Sequence, residues 1–368
     1  LIGNFCPPLK WEKGGPHLLA AVCVKAINPH KILKMHYLTQ GGIFSNTLIL
    51  MKKTCFVLFL GVILGISTLS PAADAKEQLW VYTSVYKEYI SLVKKAFEEK
   101  NPNIEVMVFQ GVSEKLQAKV EAELTANSPQ VDVVMTADPF WAHEIEKRGL
   151  ALPGSPTIET TYYSIMVMVA HKDYPADKRP KSFQDLTKSE FKGLVQMGSP
   201  LDSGTMFSTV AVLSRKYGWD YFKKLRDNQV AANGGSSAVL QKIESGEKKV
   251  GIALLENILS NLKRQSPIVM LYPEDGAIAI PNMHFTMKTS KHAVAAELFR
   301  KYLVSKDGQN LLRTGNMYTV RKDVLPPEGS KTLAEITKNA LPWTPELVDA
   351  IATDAKKIKK KFSELVLE

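Results

Sequence analysis

Beyond Cys55 the chain has no cysteine; Cys6, Cys23 and Cys55 are the three it contains. A disulfide framework, a redox-active thiol pair and a thiolate metal site are therefore excluded for residues 76–368. A thiol-free segment also tolerates an oxidising compartment, where a stray thiol would mispair. Charge of one sign is scarce too. Half of the formal charge of +10 comes from residues 1–75, which hold seven Lys and only Glu12 and Asp74 as acids. No basic block interleaved with aromatics occurs, so nothing reads as a nucleic-acid groove. The dense run Lys356-Lys357-Ile358-Lys359-Lys360-Lys361 lies on a helical pattern as a solvated face. The apolar run Cys55–Ile66 has twelve residues, short of the roughly 20 that a transmembrane helix needs.

That run sits in a three-part layout. Met51-Lys52-Lys53 is a positive start, Cys55–Ile66 is the apolar core, and Ala73 and Ala75 stand in A-x-A spacing. This predicts a cleaved secretory signal peptide over 51–75. With Met51 as the start, residues 1–50, which show no periodicity, are expected to be a non-native upstream extension.

From residue 76 strands alternate with helices. Gln78–Ser84 reads as a strand ending in Thr83 and Ser84, Tyr86–Lys100 as a helix, Ile104–Phe109 as a strand, and Ser113–Asn127 as a helix. Val131–Met135 reads as a strand closing on Thr136-Ala137-Asp138, and Phe140–Arg148 as a helix. Thr161–His171 is a long strand-like run followed by Pro175 and Pro180. Further on, Gly193–Met197, Gln229–Ala232, Val250–Leu255 and Ile268–Tyr272 read as strands, with helices over Phe207–Tyr217, Trp219–Asp227 and Ala238–Ser245; Ala277–Lys288 looks extended, and from Ala293 the pattern is mainly helical. Such alternation implies α/β architecture with mostly parallel sheets covered by helices. Ligands bind at the carboxyl ends of strands in such sheets.

The stretch Gly198–Phe207 leaves a strand and opens a helix with Ser203, Gly204 and Thr205 at its start. Asp202 or Ser203 can serve as an N-cap. The same unpaired N–H groups and partial positive charge can hold an anion without Lys or Arg. Thr83, Ser84, Thr136, Ala137, Asp138, Gly235, Ser236 and Ser237 lie at comparable junctions. Glu256 follows the Val250–Leu255 run, where it can act as an acceptor or as a charge, facing an ammonium or sugar hydroxyls, or remain a surface carboxylate. Asp138 has the same two ligand options.

Several short motifs occur in a fixed order: Val81-Tyr82-Thr83-Ser84, Asp132–Asp138 (DVVMTAD), Ser203-Gly204-Thr205, Gly235-Ser236-Ser237 to Gly246-Glu247, Pro273-Glu274-Asp275-Gly276, and Lys291-His292 to Gly308-Gln309. On these, residues 78–330 resemble the type II periplasmic solute-binding proteins of ABC importers, in the group that includes ferric-iron, phosphonate and sugar-phosphate binders. The resemblance implies two lobes joined by two extended hinge crossovers, near 168–178 and 272–282, closing on a solute. It implies lobe 1 over 76–172 and 280–368 and lobe 2 over 173–279. It also implies a monomeric periplasmic receptor, without cofactor, that delivers its solute to an ABC permease in the inner membrane.

Ferric-binding relatives use paired tyrosines after the strand that here ends Leu254-Leu255-Glu256-Asn257, with no Tyr. Tyr162 and Tyr163 are adjacent on a strand and point to opposite faces. His143, His171, His284 and His292 are dispersed. The expected solute is therefore a small organophosphate or phosphonate anion, such as 2-aminoethylphosphonate or a sugar phosphate; a ferric-binding transport protein is the alternative. A secreted phosphoester hydrolase is the reading from another class. No G-x-S-x-G elbow surrounds Ser203 and no H-E-x-x-H occurs, so no enzyme is expected.

Overall fold

The computed structural model describes residues 76–154 and 156–368. The expected signal peptide and the segment 1–50 lie outside the described residues. The chain runs β1 (Glu77–Thr83), α1 (Lys87–Lys100), β2 (Ile104–Gln110), α2 (Ser113–Thr125), β3 (Val133–Thr136) and α3 (Pro139–Lys147). β1 pairs in parallel with β2 on one side and β3 on the other. Asn101-Pro102 stops α1, since proline cannot donate to the helix ladder. The buried face of α1, Ile90, Val93 and Phe97, packs with Leu79, Val81 and Val133 of the sheet. Each such fully buried side chain contributes about 1.5–3 kcal/mol.

β4 (Ile158–His171) is the spine of the molecule. Residues 158–166 pair with the later strand Ile278–Thr286, and residues 166–170 pair with the strand Val250–Leu254. Neighbours cover both edges and both faces, which explains why Ile165–Ala170 is uninterrupted apolar sequence rather than an alternation. The change of partner comes at Met166, ahead of the 168–178 expected for the first crossover. The ladder runs on to His171, and Pro175 only marks where it has already ended.

After β4 the chain forms β5 (Val195–Met197), α4 (Gly204–Tyr217), α5 (Trp219–Asp227), β6 (Ala231–Ala232), α6 (Ser236–Glu244), β7 (Val250–Leu254), α7 (Leu255–Lys263), β8 (Ile268–Leu271) and β9 (Ile278–Thr286). It then adds α8 (Ala293–Val304), α9 (Lys306–Thr314), β10 (Tyr318–Thr319), α10 (Leu333–Ile336) and α11 (Pro345–Phe362). The sheet order is β2-β1-β3-β9-β4-β7-β5-β6, with β8 and β10 also on β4. Two parallel blocks, β2-β1-β3 and β7-β5-β6, thus flank the antiparallel pair β9-β4. This is the two-lobed α/β architecture, with β4 and β9 as its crossovers.

One helix was absent from the sequence pattern. α7 begins at Leu255, directly after β7, so Glu256 stands in a helix's first turn rather than at a strand end. No polar residue separates the strand from the helix, and a continuous apolar run hides the change of period.

The motif residues earn specific geometry. Ser305 caps α9 by accepting from Gly308 N at 3.2 Å, and Gln309 donates to the Thr161 carbonyl of β4 at 2.8 Å while accepting from Val320 N at 2.9 Å. Asp275 accepts from Phe183 N and Gln184 N at 3.2 and 3.3 Å, and the next residue, Gly276, has φ +92°. A Cβ there would lie 2.3 Å from Ala340 N, so only glycine fits.

α11 spans a wide stretch of the molecule. Ile351, Ile358 and Phe362 join the core around α4 and α5, with Phe362 edge-on to Phe222 at 5.5 Å. On its other side Asp349 pairs with Lys147 of α3, and Lys359 lies 3.7 Å from Glu114 of α2.

Candidate ligand-binding site

Three helices begin around one cavity of about 280 Å³. α2 contributes Ser113, α4 contributes Gly204 and Thr205 behind Ser203, and α6 contributes Ser236 and Ser237 behind Gly235. Each opening follows from local chemistry. Ser203 adopts extended backbone and its Oγ accepts from Met206 N at 3.3 Å and lies 3.0 Å from Thr205 Oγ1. Asp202 Oδ2 accepts from Gly234 N at 3.0 Å, and Ser199 N donates to the Gly234 carbonyl at 2.8 Å. The loops before α4 and α6 are thereby stapled together. The wall opposite holds Ser84, whose Oγ accepts from Ala137 N at 3.0 Å.

Of the residues expected from the sequence, Ser84, Ala137, Ser203, Gly204, Thr205, Gly235, Ser236, Ser237 and Glu256 line this cavity. Thr83, Thr136 and Asp138 do not. Thr83 Oγ1 accepts from Val85 N at 3.1 Å, and Thr136 Oγ1 accepts from Asp138 N at 3.1 Å and donates to Ser113 Oγ at 3.3 Å. Asp138 caps α3, accepting from Phe140 N and Trp141 N at 3.0 Å and from Gln117 Nε2 at 2.9 Å. These three engage their polar atoms with N–H groups just ahead of them and, for Thr136 and Asp138, with Ser113 and Gln117 of α2, and none of them lines the cavity. Burial raises the carboxyl pKa of Asp138 above the usual carboxylate range, against the hydrogen bonds that lower it.

The far end of the cavity comes from residues that the sequence pattern assigns to core strands: Tyr162 and Ser164 of β4 and Asn282 of β9. Asn282 is 2% exposed; its Nδ2 donates to Ser164 Oγ at 3.0 Å and to the Ile280 carbonyl, while its Oδ1 has no partner among the described residues. Glu256 is 4% exposed, accepts weakly from Ile165 N at 3.4 Å, and has no ion pair among the described residues. Burial pushes its carboxyl up to about 7, because the charged form loses hydration that no cation replaces. Burial first, and the Glu256 charge second, push the Tyr86 phenol up to about 12 and that of Tyr162 well above the usual value.

Among the described residues no Lys or Arg lines the cavity, and its titratable side chains are Tyr86, Tyr162, Asp202 and Glu256. The starts of α2, α4 and α6 bring N–H groups and hydroxyls, with the Asp202 carboxylate beside them engaged by Gly234 N, while the far end adds the Glu256 carboxyl and Asn282 Oδ1 as acceptors beside the Tyr162 and Ser164 hydroxyls. A second space of about 430 Å³ adjoins it and shares Tyr86, Ser237 and Glu256. Tyr86 Oη donates to Asn257 Oδ1 at 3.1 Å there. Tyr163, one residue from Tyr162, instead lines separate spaces with Trp343. The adjacent pair therefore does not converge, as the strand alternation required. Among the described residues no group of three or more His, Cys, Asp or Glu could hold a metal, and no helix is long and apolar enough to cross a membrane.

Residues 80–315 match the family described as bacterial extracellular solute-binding protein. The phosphoglycerate transport regulatory protein PgtC of Salmonella typhimurium is 26% identical over 216 residues, 52% of this chain; the chain spans 53% of that relative's length. The periplasmic binding protein AfuA of Actinobacillus pleuropneumoniae, solved with fructose 6-phosphate, aligns with TM-score 0.70 at 21% identity, covering 79% of this chain and 99% of that one. Iron-bound HitA of Pseudomonas aeruginosa aligns with TM-score 0.67 at 19% identity, covering 78% and 99%. With the family match across most of the described chain, the chain belongs to the bacterial extracellular solute-binding proteins, and its fold is that of the two-lobed type II periplasmic binding proteins.

Proposed function

We propose that the cavity between the starts of α2, α4 and α6 captures a small organophosphate or phosphonate anion, and that the receptor delivers it to an ABC permease. The observation that carries this reading is the donor-rich end of the cavity, where N–H groups and hydroxyls converge with no cationic side chain among the described residues and the Asp202 carboxylate is engaged by Gly234 N. Three helix starts put partial positive charge where phosphate oxygens accept many neutral hydrogen bonds. PgtC and AfuA add support, since their names and bound solute concern phosphoglycerate and fructose 6-phosphate. Ligand-binding roles for Ser84, Ala137, Ser203, Gly204, Thr205 and Gly235–Ser237 belong to this proposal, as does Glu256 as acceptor for the solute's own donors.

The mechanism is closure. One lobe takes the anion, and contacts from the second lobe shift the open–closed equilibrium. The proposed lobes are 76–172 with 280–368, and 173–279, with α11 riding across onto α4 and α5. The receptor acts as a monomer in the periplasm, exported by a cleaved signal peptide at 51–75, and leaves its solute chemically unchanged.

The ferric reading has one observation in its favour: Tyr86 and Tyr162 both line the cavity. Iron(III) would have to displace both phenol protons, and burial together with the Glu256 charge opposes that displacement. Thermal-shift screening with fructose 6-phosphate, 3-phosphoglycerate, 2-aminoethylphosphonate, inorganic phosphate and ferric citrate decides between the readings. A solute at 100 times its Kd adds about 2.7 kcal/mol. Stabilisation by ferric citrate alone, or turnover of a phosphoester by catalytic amounts of protein, refutes the proposal.

A further inference from the structure

Glu256 is the charged group at the acceptor end of the cavity, and it rides on a helix with little to hold its first turn. Leu254, the N-cap of α7, offers no side-chain hydrogen bond to the helix. The Leu254 N–H itself donates to Ser236 Oγ at 3.0 Å, which ties the chain just ahead of α7 to α6 but leaves the first turn of the helix uncapped. The hold comes from outside the helix. Asn316, in the loop between α9 and β10, is 2% exposed. Its Nδ2 donates to Ser260 Oγ at 3.0 Å and to the Glu256 carbonyl at 3.4 Å, and its Oδ1 accepts from Lys263 Nζ at 2.9 Å. Ser260 Oγ in turn donates to the Glu256 carbonyl at 2.8 Å. One amide therefore grips both turns of α7.

The same loop touches the binding region on both sides of Asn316. Gly315 lines the outer space, and Met317 lines the inner cavity. Tyr318 and Thr319 then pair with Tyr163 and Tyr162 of β4. The loop's shape is specified locally: Asn316 has φ +61°, a left-handed conformation that Asn tolerates better than most residues. A Cβ on Gly315 would lie 3.1 Å from the Tyr89 ring, so the preceding residue approaches α1 closely.

We infer that Asn316 is a positioning residue for solute selectivity: by clamping α7 it sets Glu256 toward hydrogen-bond donors on the solute, while the anion is held elsewhere, at the helix starts. This rests on the proposed binding of an anion in the inner cavity. It assigns to a residue 60 positions away in sequence the control of the cavity's acceptor end.

The test is Asn316→Gly, which keeps the left-handed backbone and removes only the clamp. Two readouts separate the clamp from the binding proposal. In the unliganded protein, hydrogen exchange at amides 256–263 is expected to rise about tenfold while α6 is unaffected; unchanged exchange there overturns the clamp, whatever the protein binds. By titration calorimetry, affinity for fructose 6-phosphate or 2-aminoethylphosphonate is expected to fall about tenfold, with methylphosphonate, which carries no donor beyond its head, changed less than about threefold. In a Glu256→Gln background Asn316→Gly is expected to add no further loss, because it acts through Glu256. Equal losses for all three solutes, or fully additive losses in the double variant, reduce Asn316 to general support and overturn the inference. If exchange rises as expected and no phosphate or phosphonate binds the wild type, the binding proposal fails, and with it the selectivity role, while the clamp stands.

Discussion

Adding one methyl group to Gly204 is expected to weaken solute binding without weakening the unliganded fold. Gly204 is the first residue of α4, and its backbone φ is not in the left-handed region, so alanine suits it. Across the cavity mouth stands Ser113, the first residue of α2. A Cβ on Gly204 would lie 2.9 Å from Ser113 Oγ and 3.0 Å from Ser113 Cβ, with Asp138 Cβ at 3.6 Å. Ordinary contacts need several tenths of an ångström more. On the proposed closure, α2 and α4 come together only when the lobes shut on the solute, and the strain is then confined to that arrangement. Overpacking of this kind costs about 1–3 kcal/mol, which lowers affinity about 5- to 150-fold. With the lobes apart the methyl is expected to meet no such neighbour, and alanine is the better helix former by up to about 1 kcal/mol. Titration calorimetry with fructose 6-phosphate, alongside thermal melting without solute, measures the two effects. An unchanged Kd refutes the idea that closure presses α4 against α2. A clear drop in the solute-free melting temperature would instead mean that the contact belongs to the resting fold.

Three further outcomes are expected. Ser203→Ala with Thr205→Ala should cost about 0.5–2 kcal/mol of stability through the lost cap to Met206 N, yet collapse affinity for phosphate-bearing solutes by far more in the same calorimetric assay; a loss no larger than the stability cost would reduce the pair to capping. Glu256→Gln tests the buried carboxyl. Its folded pKa of about 7 lies above the ordinary 4.5, so the native state binds the proton more tightly than the unfolded chain. Stability from this group is present below about pH 4.5 and is lost as pH rises through 7, by about 3 kcal/mol at most. The unliganded variant should therefore match wild type near pH 4 and exceed it at pH 8 in urea denaturation, and equal curves at both pH values would rule out the buried charge. Finally, Tyr86→Phe removes the 3.1 Å bond to Asn257 and is expected to lower the stability of the unliganded protein by about 1 kcal/mol in urea denaturation, with affinity for fructose 6-phosphate changed less than about threefold; abolition of ferric binding, with a lost visible absorption band, would favour the iron reading instead.

Much of the donor end of the site was legible beforehand. Ser203-Gly204-Thr205 and Gly235-Ser236-Ser237 are local patterns, in which small and hydroxyl residues follow a strand and precede a helical period. Ser84 was legible in the same way. Thr83, Thr136 and Asp138 carried the same signature and do not line the cavity. A hydroxyl or carboxylate at a strand end serves equally well for a bond two or three residues ahead, as Val85 N, Asp138 N and Trp141 N receive here. Sequence cannot separate these uses, because both are local and both favour the same residue types.

The acceptor end was not legible. Tyr162, Ser164 and Asn282 sit inside strands whose apolar neighbours read as core, and α7 was hidden behind the continuous run of β7. Ser164 and Asn282 are 118 positions apart and meet only because β4 and β9 pair antiparallel. Asn316 reaches Glu256 across 60 residues by the same kind of long-range closure. The sequence alone determined the alternation of strands and helices apart from α7, the thiol-free composition of residues 76–368 and the hydroxyl-rich helix starts, since each depends on composition, on periodicity or on neighbours a few residues away. The tertiary structure decided which polar ends share a cavity, that Glu256 opens a helix, and that Tyr162 and Tyr163 serve different spaces. Those outcomes depend on which strands pair and in what register, and a one-residue shift in that pairing would turn every side chain of β4 to the other face.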